Sequence, residues 1–320
     1  MVSSVTSVGG CQPILSYSFS SISLVGIGSS THPHSHPTDL ELIYCLRGNV
    51  SLVAGHQHTV IGAGEIFSVD CRDIHYLYSH EENVTLLFHL DLTNLHIDRE
   101  LLENAFFACE SSHCRPYQQK ALDNVKDIVL SLSYQLFKGD IPQARRKQMS
   151  ASSDELIDVL MRYFNWFSYE NFDEHLNMEQ YDRFYRILSY CCENYPHKIT
   201  ISQLAEMEHI NKTYVSQFIR KTVFESFSAM VRYVRCYEAE RLLLNTSLPV
   251  SEISYACGFS GPKYFYSAFK QFWHCTPTEH RQKYARYMEQ EPHAVCLLAD
   301  ESLQLTEDAI TAWHLEKTFR

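Results

Sequence analysis

Two stretches fifty residues apart carry side chains suited to reading a nucleic acid. The first holds Lys212, Thr213, Ser216, Gln217 and Arg220, and the second holds Lys263, Tyr266, Ser267 and Lys270. Each set is interleaved with apolar residues at helical spacing, Val215, Phe218 and Ile219 in one and Phe265, Ala268 and Phe269 in the other. A helix that buries the apolar residues turns the polar ones outward. Lys and Arg near helix ends can then neutralise phosphates, while hydroxyl and amide groups donate to and accept from base edges.

The flanking residues supply the elements that would position these faces. Thr200-Ile201-Ser202-Gln203 is a capping box that starts a helix, with Leu204, Ala205 and Met207 on its apolar side. His209-Ile210 form a turn, and Asn211 caps the next helix. In the second unit Ile253 and Ala256 pack, Gly258 ends the helix and Ser260 caps its successor. Between the units, a helix from a cap at Ser226 to Leu244 carries Phe227, Met230, Val231, Val234 and Leu242 as one stripe, so it can serve as a strut. The repeat extends beyond the helices, because Val215, Ile219, Arg220 and Ser226 return as Phe265, Phe269, Lys270 and Thr276. Two recognition helices held about 34 Å apart meet successive major grooves of B-DNA.

The stretch from Ile201 to Arg281 resembles the AraC/XylS family of bacterial transcription regulators. The carrying segments are Gln203-Leu204-Ala205, Val231-Arg232-Tyr233-Val234-Arg235, Ala239-Glu240-Arg241-Leu242-Leu243 and Ile253-Ser254-Tyr255-Ala256-Cys257-Gly258-Phe259-Ser260. The resemblance continues through Tyr264-Phe265-Tyr266-Ser267-Ala268-Phe269-Lys270 to Thr276-Pro277-Thr278-Glu279-His280-Arg281. It implies base reading from the places held by Thr213, Ser216 and Gln217 in the first recognition helix, and by Pro262, Lys263, Tyr266 and Ser267 in the second. It further implies double-stranded DNA and a small-molecule effector as partners, with a homodimer and RNA polymerase as further ones. Three positions depart from the pattern: Phe224 and His274 stand where glycine is usual, and Pro249 replaces a Ser/Thr helix cap.

Residues 15 to 92 read differently. Short apolar or β-branched runs (Val50 to Val53, Thr59 to Ile61, Glu65 to Val69, Thr85 to Leu90) alternate with Arg47-Gly48-Asn49, Ala54-Gly55 and Gly62-Ala63-Gly64, the pattern of an all-β barrel or sandwich. Gly28, His34-Ser35-His36, Glu41 and Gly48, followed by Gly64 and His75, resemble the two motifs of the cupin barrel. Asp70 and Arg72 stand where proline and glycine are common. The resemblance implies that His34, His36, Glu41 and His75 point into the barrel. There they would hold a divalent metal (Mn, Fe, Ni or Zn), hydrogen-bond a metal-free effector, or do neither. His34 and His36 share a face if the chain is extended there. His32, His56 and His58 read as exposed loop residues, and Tyr44, Arg47 and Tyr76 as pocket or rim contributors.

The remaining chain reads as helical from about residue 95. Leu122, Val125, Val129, Leu132 and Leu136 form one stripe, and Leu156, Val159, Leu160, Tyr163 and Phe167 another, separated by a flexible connection from Arg145 to Ser153. The stretch from Pro292 to Arg320 is weakly patterned. Of 320 residues, 45% are hydrophobic and 20% charged, as in soluble globular proteins, and no apolar run is long enough to span a bilayer. Met1 to Cys11 lacks the Lys or Arg of a secretory signal. The 11 cysteines show no CxxC spacing, which suits free thiols in a reducing cytoplasm and gives a zinc ribbon no support. The net charge is −11, yet Arg183 to Arg286 holds 14 Lys/Arg against 8 Asp/Glu, a local +6. Screening over about 8 Å lets such a basic module attract phosphates beside an acidic body.

These readings give an α+β multidomain chain. We expect a cupin-like ligand-sensing β-barrel over 1–95, a helical linker and dimerisation region over 96–180, an all-α double helix-turn-helix domain over 181–287 and a tail over 288–320. The leading function is a cytoplasmic, ligand-responsive transcription factor that associates with the bacterial nucleoid through DNA. It is not an enzyme, needs no membrane and requires no cofactor, the divalent metal remaining an alternative. Two other readings stay open: a cupin-type metal-dependent oxygenase or isomerase fused to a DNA-binding module, and a regulator without any effector.

Overall fold

The structure, a computed structural model, describes residues 15–17, 20–55, 57–95, 106–139, 143–165, 178–289 and 291–319. The readings placed on the amino-terminal segment, His56 and Phe167 lie outside these residues. The chain groups into two compact units, one from residues 1–99, 107–165 and 290–320 and the other from 100–106 and 166–289.

The first unit is a barrel-like pair of antiparallel sheets. Its strands are β1 (Leu15–Tyr17), β2 (Ser20–Ile27), β3 (Asp39–Arg47), β4 (Asn49–Ala54), β5 (Gln57–Gly62), β6 (Ile66–Val69), β7 (His75–Tyr78) and β8 (Val84–Asp91). One sheet runs β1-β2-β8-β3-β6 and the other β5-β4-β7. Alternation sends Ile43 and Cys45 of β3, Leu87 of β8, Leu52 of β4 and Leu77 of β7 into one shared apolar core between the sheets. The alternate residues Leu40, Leu42, Leu86 and Phe88 are also fully buried, so the larger sheet is covered on both faces. His58 sits within β5, exposed, with its Nε2 2.8 Å from the Tyr78 hydroxyl, and is therefore a strand residue and not a loop residue.

Two helices follow, α1 (Gln119–Lys138) and α2 (Gln143–Tyr163). The α1 stripe Leu122, Val125, Val129, Leu132 and Leu136 is buried as read. The expected flexible connection from Arg145 to Ser153 is instead helical, the first half of α2. Its Arg, Lys, Gln and Met residues are good helix formers, and Met149 and Ser153 continue the buried face of Leu156, Ile157, Leu160 and Phe164. Val159 and Tyr163 are only partly buried, so the true stripe is rotated toward Ile157 and Phe164.

The chain after the second unit returns to this first unit. A strand, Ala294–Cys296, pairs with Val25 to Ile27 of β2, and a helix, Ala299–Phe319, packs on α1. Trp313 of that helix is 3% exposed, and its Nε1 donates to Asp127 at 2.7 Å. The helices within 107–165 and the described residues from 291 onward therefore group with the barrel strands in one unit. Weak amphipathic patterning hid this: among the described residues of the last helix, Ser302, Thr306 and Trp313 are the buried ones.

Among the described residues, the regular elements of the second unit are helices: α3 (Met178–Asn194), α4 (Ile201–Met207), α5 (Lys212–Arg220), α6 (Phe227–Asn245), α7 (Val250–Ala256), α8 (Pro262–Trp273) and α9 (Pro277–Met288). The helix after β9 (Ala294–Cys296) is α10. Thr200 and Gln203 make the expected reciprocal cap, and Asn211 Oδ1 accepts the Tyr214 amide at 2.8 Å. The second turn differs in detail. Ala256 is exposed while Ser254 and Cys257 are buried, and α8 is preceded by Gly261 and opened by Pro262, leaving Ser260 exposed outside the cap. On α6, Leu243 is buried where Leu242 was expected, with Ala239 and Cys236 completing the face that packs on α7 and α8. Among the described residues, no helix is long and apolar enough to cross a membrane.

Candidate functional site

The helical unit presents its candidate DNA surface on α5 and α8. Val215, Phe218 and Ile219 are buried and occupy the same places in α5 that Phe265, Ala268 and Phe269 occupy in α8. Lys212, Thr213, Gln217 and Arg220 are exposed, as are Lys263, Ser267 and Lys270, while Ser216, Pro262 and Tyr266 are partly buried. The Tyr266 hydroxyl is 3.0 Å from Thr278 Oγ1, so this ring is braced against α9. Sequence reading passed over Tyr214 as a surface residue and took Tyr264 only as part of a motif. Both are exposed at equivalent places, 38% and 64%, and the repeat itself was the signal that pairs them.

The two departures after the recognition helices resolve differently. His274 adopts a left-handed conformation (φ 55°) and closes α8 through its amide on the Lys270 carbonyl. Phe224 does not take that conformation; its buried ring fills the turn, and its amide donates to Thr222 Oγ1 at 3.2 Å. At the start of α7, Pro249 offers no side-chain cap, but its carbonyl accepts the Glu252 amide at 2.9 Å.

Not all of the unit's positive charge faces outward. Arg281 donates to the Leu243 carbonyl at the end of α6, and Arg235 donates to the Tyr195 and His197 carbonyls. Arg186 is paired with Glu208, and Arg183 with Glu179. The local +6 thus contains structural arginines, and the outward cations on the two faces are Lys212, Arg220, Lys263 and Lys270. A buried pair braces the unit as well, His280 Nε2 lying 2.6 Å from Glu240 Oε1.

In the barrel unit, one ligand atom from each of His34, His36, Glu41 and His75 lies within 4.8 Å of all the others. Register explains the convergence. Glu41 shares the inward face of β3 with Ile43 and Cys45, and the segment 28–36 runs beside β7, exchanging two 2.9 Å backbone hydrogen bonds between His34 and His75. Arg72 takes a left-handed φ of 70°, the conformation glycine favours, and its amide donates to the His36 carbonyl. The neighbouring Asp70 carboxylate accepts the Phe107 amide.

The orientation of the rings fixes the chemistry. His34 Nδ1 lies 2.8 Å from the His32 carbonyl and His75 Nδ1 lies 3.0 Å from the Asp73 carbonyl. A carbonyl can only accept, so each Nδ1 carries the proton and each Nε2 faces the centre. Part of His34 is exposed at the surface, but its Nε2 is buried; burial and the facing His75 push its pKa down to about 3. Burial alone would raise the Glu41 carboxyl, but facing His75 and His89 hold it well below the usual carboxylate range.

Glu41 Oε2 is 2.7 Å from His75 Nε2 and 3.6 Å from His36 Nε2. These atoms, with His34 Nε2, are buried without a hydrogen-bond partner. Lone pairs facing one another at such range require a proton or a cation between them. The donor set, three imidazoles and a carboxylate with their outer atoms held by backbone, fits a divalent first-row metal ion. Sequence reading missed a fifth member. His89 is 3% exposed, with Nε2 3.0 Å from Glu41 Oε1 and Nδ1 3.3 Å from Ser21 Oγ. The β3–β8 register places His89 opposite Glu41, a pairing that spacing along the chain does not reveal. Tyr44 and Tyr76 are buried and Arg47 is exposed.

Family comparison finds a helix-turn-helix domain at residues 204–283 and a cupin domain at 22–90. The chain is 32% identical over 83 residues to the xylose operon regulatory protein of Escherichia coli strain K12, covering 26% of this chain and 21% of that protein. It is 25% identical over 266 residues to YdiP, an uncharacterised HTH-type transcriptional regulator of the same strain, covering 81% of this chain and 84% of the relative. It spans only 38% and 21% of the lengths of the first two relatives it matches. Among solved structures, unsaturated-fatty-acid-bound ToxT from Vibrio cholerae aligns with a TM-score of 0.41 at 11% identity, over 83% of this chain and 95% of ToxT.

Proposed function

We propose that this chain, an AraC/XylS-type protein that joins a cupin domain to a paired helix-turn-helix domain, is a sequence-specific DNA-binding transcription regulator whose barrel takes up a small ligand. The observation that carries the reading is the matched pair of surfaces on α5 and α8. Residues fifty apart are buried alike and exposed alike, and α6 packs with α7 and α8 as a common strut. Lys212, Arg220 and Lys270 would neutralise phosphates, while Thr213, Ser216, Gln217, Pro262, Lys263, Tyr266 and Ser267 would meet base edges. Transcription regulators among its relatives support the same reading.

In this reading the barrel serves as the sensor. Apolar side chains fill much of the space between its sheets, beside a buried centre formed by His34, His36, Glu41 and His75. The test is selection of binding sequences from a random DNA pool by the full chain. The expected result is an enriched site with two elements about 10–10.5 base pairs apart. Recovery of unenriched DNA would refute the reading.

A further inference from the structure

Both recognition helices belong to one unit, and side chains tie them together at two places. The first tie is aromatic. Phe224, in the turn that follows α5, is buried, and its ring centroid lies 5.6 Å from that of Tyr233 on α6. Tyr233 in turn meets the last turn of α8, with Phe272 edge-on at 5.3 Å and the buried Trp273 stacked at 5.8 Å. These are the separations of favourable aromatic pairs. Four rings therefore connect the end of one recognition helix to the end of the other. The second tie joins two turns. Arg235 of α6 donates to the Tyr195 carbonyl at 2.9 Å and the His197 carbonyl at 2.8 Å, both in the connection between α3 and α4. Its guanidinium also lies 5.9 Å from the centre of the Phe259 ring, in the turn between α7 and α8. That turn is pressed against the same connection: Gly258 has a φ of 78°, and a Cβ there would fall 2.6 Å from the Tyr195 carbonyl oxygen and 2.7 Å from that of Pro196.

Resting on the DNA-binding reading above, we infer that Phe224, Tyr233 and Arg235, which lie off the recognition faces, set the spacing between the two base elements that the chain accepts. They are positioning residues and act on the bases only through α5 and α8. Tyr233 and Arg235 stand two residues apart on α6, about 200° around its axis, so the ties lie on nearly opposite sides of the strut. One attachment leaves a pivot; two on opposite sides remove it. Moving the two elements one base pair apart asks α8 to shift about 3.4 Å along the duplex and to turn about 34° around it relative to α5. A gap of only about 0.5–1 Å already forfeits a quarter to a half of the attraction between packed atoms, so such a shift breaks the aromatic tie. It also carries the carbonyls of Tyr195 and His197 out of range of a guanidinium that must keep to Phe259. The unit therefore holds one geometry, and a site with the wrong spacing loses the contacts of one helix.

The experiment uses the full chain and a selected DNA site with one pair of elements, resynthesised with the pair one base pair closer, one further and two further apart. It reads the ratio of dissociation constants between altered and selected spacing. A variant that is merely less folded binds every site more weakly by the same factor, so this ratio does not register stability. The wild-type ratio at one base pair should be roughly 10- to 100-fold, the loss of one helix's base contacts. Phe224→Gly and Arg235→Ala should each lower it several-fold, and the double variant should bring it near unity. Tyr233→Ala should match Phe224→Gly, whereas Tyr233→Phe, which keeps the ring, should keep the wild-type ratio. Phe224→Leu, which fills the turn without a ring, stands in if glycine there leaves the unit unfolded. A wild-type ratio near unity overturns the proposal while the regulator reading stands. Variants that retain the full ratio overturn it as well, and assign the spacing to α6 alone. A ratio that falls in only one of the two single variants overturns the other tie. If no DNA site is selected at all, the regulator reading fails and this proposal with it. The wild-type series needs no variant to fold.

Discussion

Removing the indole of Trp313 tests whether the last helix is part of the barrel unit. The ring is 3% exposed, its Nε1 donates to Asp127 at 2.7 Å, and the Lys126 ammonium lies 4.8 Å from its centroid. Truncating a buried aromatic to alanine costs about 3–5 kcal/mol, from lost transfer energy and the cavity left behind. Trp313→Phe keeps most of the apolar contact and removes the hydrogen bond. A bond to a charged group is worth about 1.5–3 kcal/mol when buried. Asp127 keeps Lys317 at 2.6 Å and is about a third exposed, so water offsets part of the loss and about 1–2 kcal/mol is expected. Calorimetry of the full chain resolves the two units if operator DNA is added, because DNA raises only the transition of the unit it binds. The Trp313 variants should lower the other transition, with Ala beyond Phe. A loss below about 1 kcal/mol for Trp313→Ala would mean that α10 does not dock as described. Lowering of the DNA-responsive transition would place α10 in the wrong unit.

Gln217→Ala and Lys263→Ala should relax base preference at their own positions by about 1–3 kcal/mol of discrimination, whereas Arg220→Ala should weaken all sequences alike and lower the salt slope by about 0.9; identical sequence logos for wild type and both face variants would refute the assignment. His280→Phe should cost the helical unit about 3–5 kcal/mol by stranding the buried Glu240 charge, and adding Glu240→Leu should recover most of it, as read from denaturant midpoints. The metal-free chain should lose stability in acid. His34 stays neutral in the fold down to about pH 3 but accepts a proton near 6.5 when unfolded, so the unfolded state gains protons first. That contribution is complete above pH 6.5 and falls by about 1.4 kcal/mol per pH unit below it. His34→Asn should flatten the profile between pH 6.5 and 4, and an unchanged slope would show that another group dominates.

The helix-turn-helix unit was legible in the sequence because its determinants are local. Caps at Thr200, Asn211 and Ser226 and apolar residues at helical spacing act within a few residues, so their meaning survives without the fold. The same holds for the cupin donors, since His34, His36, Glu41 and His75 keep recognisable intervals along the chain. Where the local signal was weak, reading slipped by a residue or failed: Ser260 is not the cap, and Arg145 to Ser153 is helix because tertiary burial of Met149 and Ser153 outweighs a run of serines. The tertiary structure alone decided three matters. It placed His89 beside Glu41, because strand register is set by cross-strand packing and leaves no interval to read. It turned arginines that count toward the basic balance into caps of carbonyls, because a side chain's partner depends on which helix end lies nearby. And it returned the residues beyond 290 to the barrel, through backbone hydrogen bonds to Gly28 and Ser30 and one buried tryptophan, contacts between segments more than 180 residues apart that no local pattern encodes.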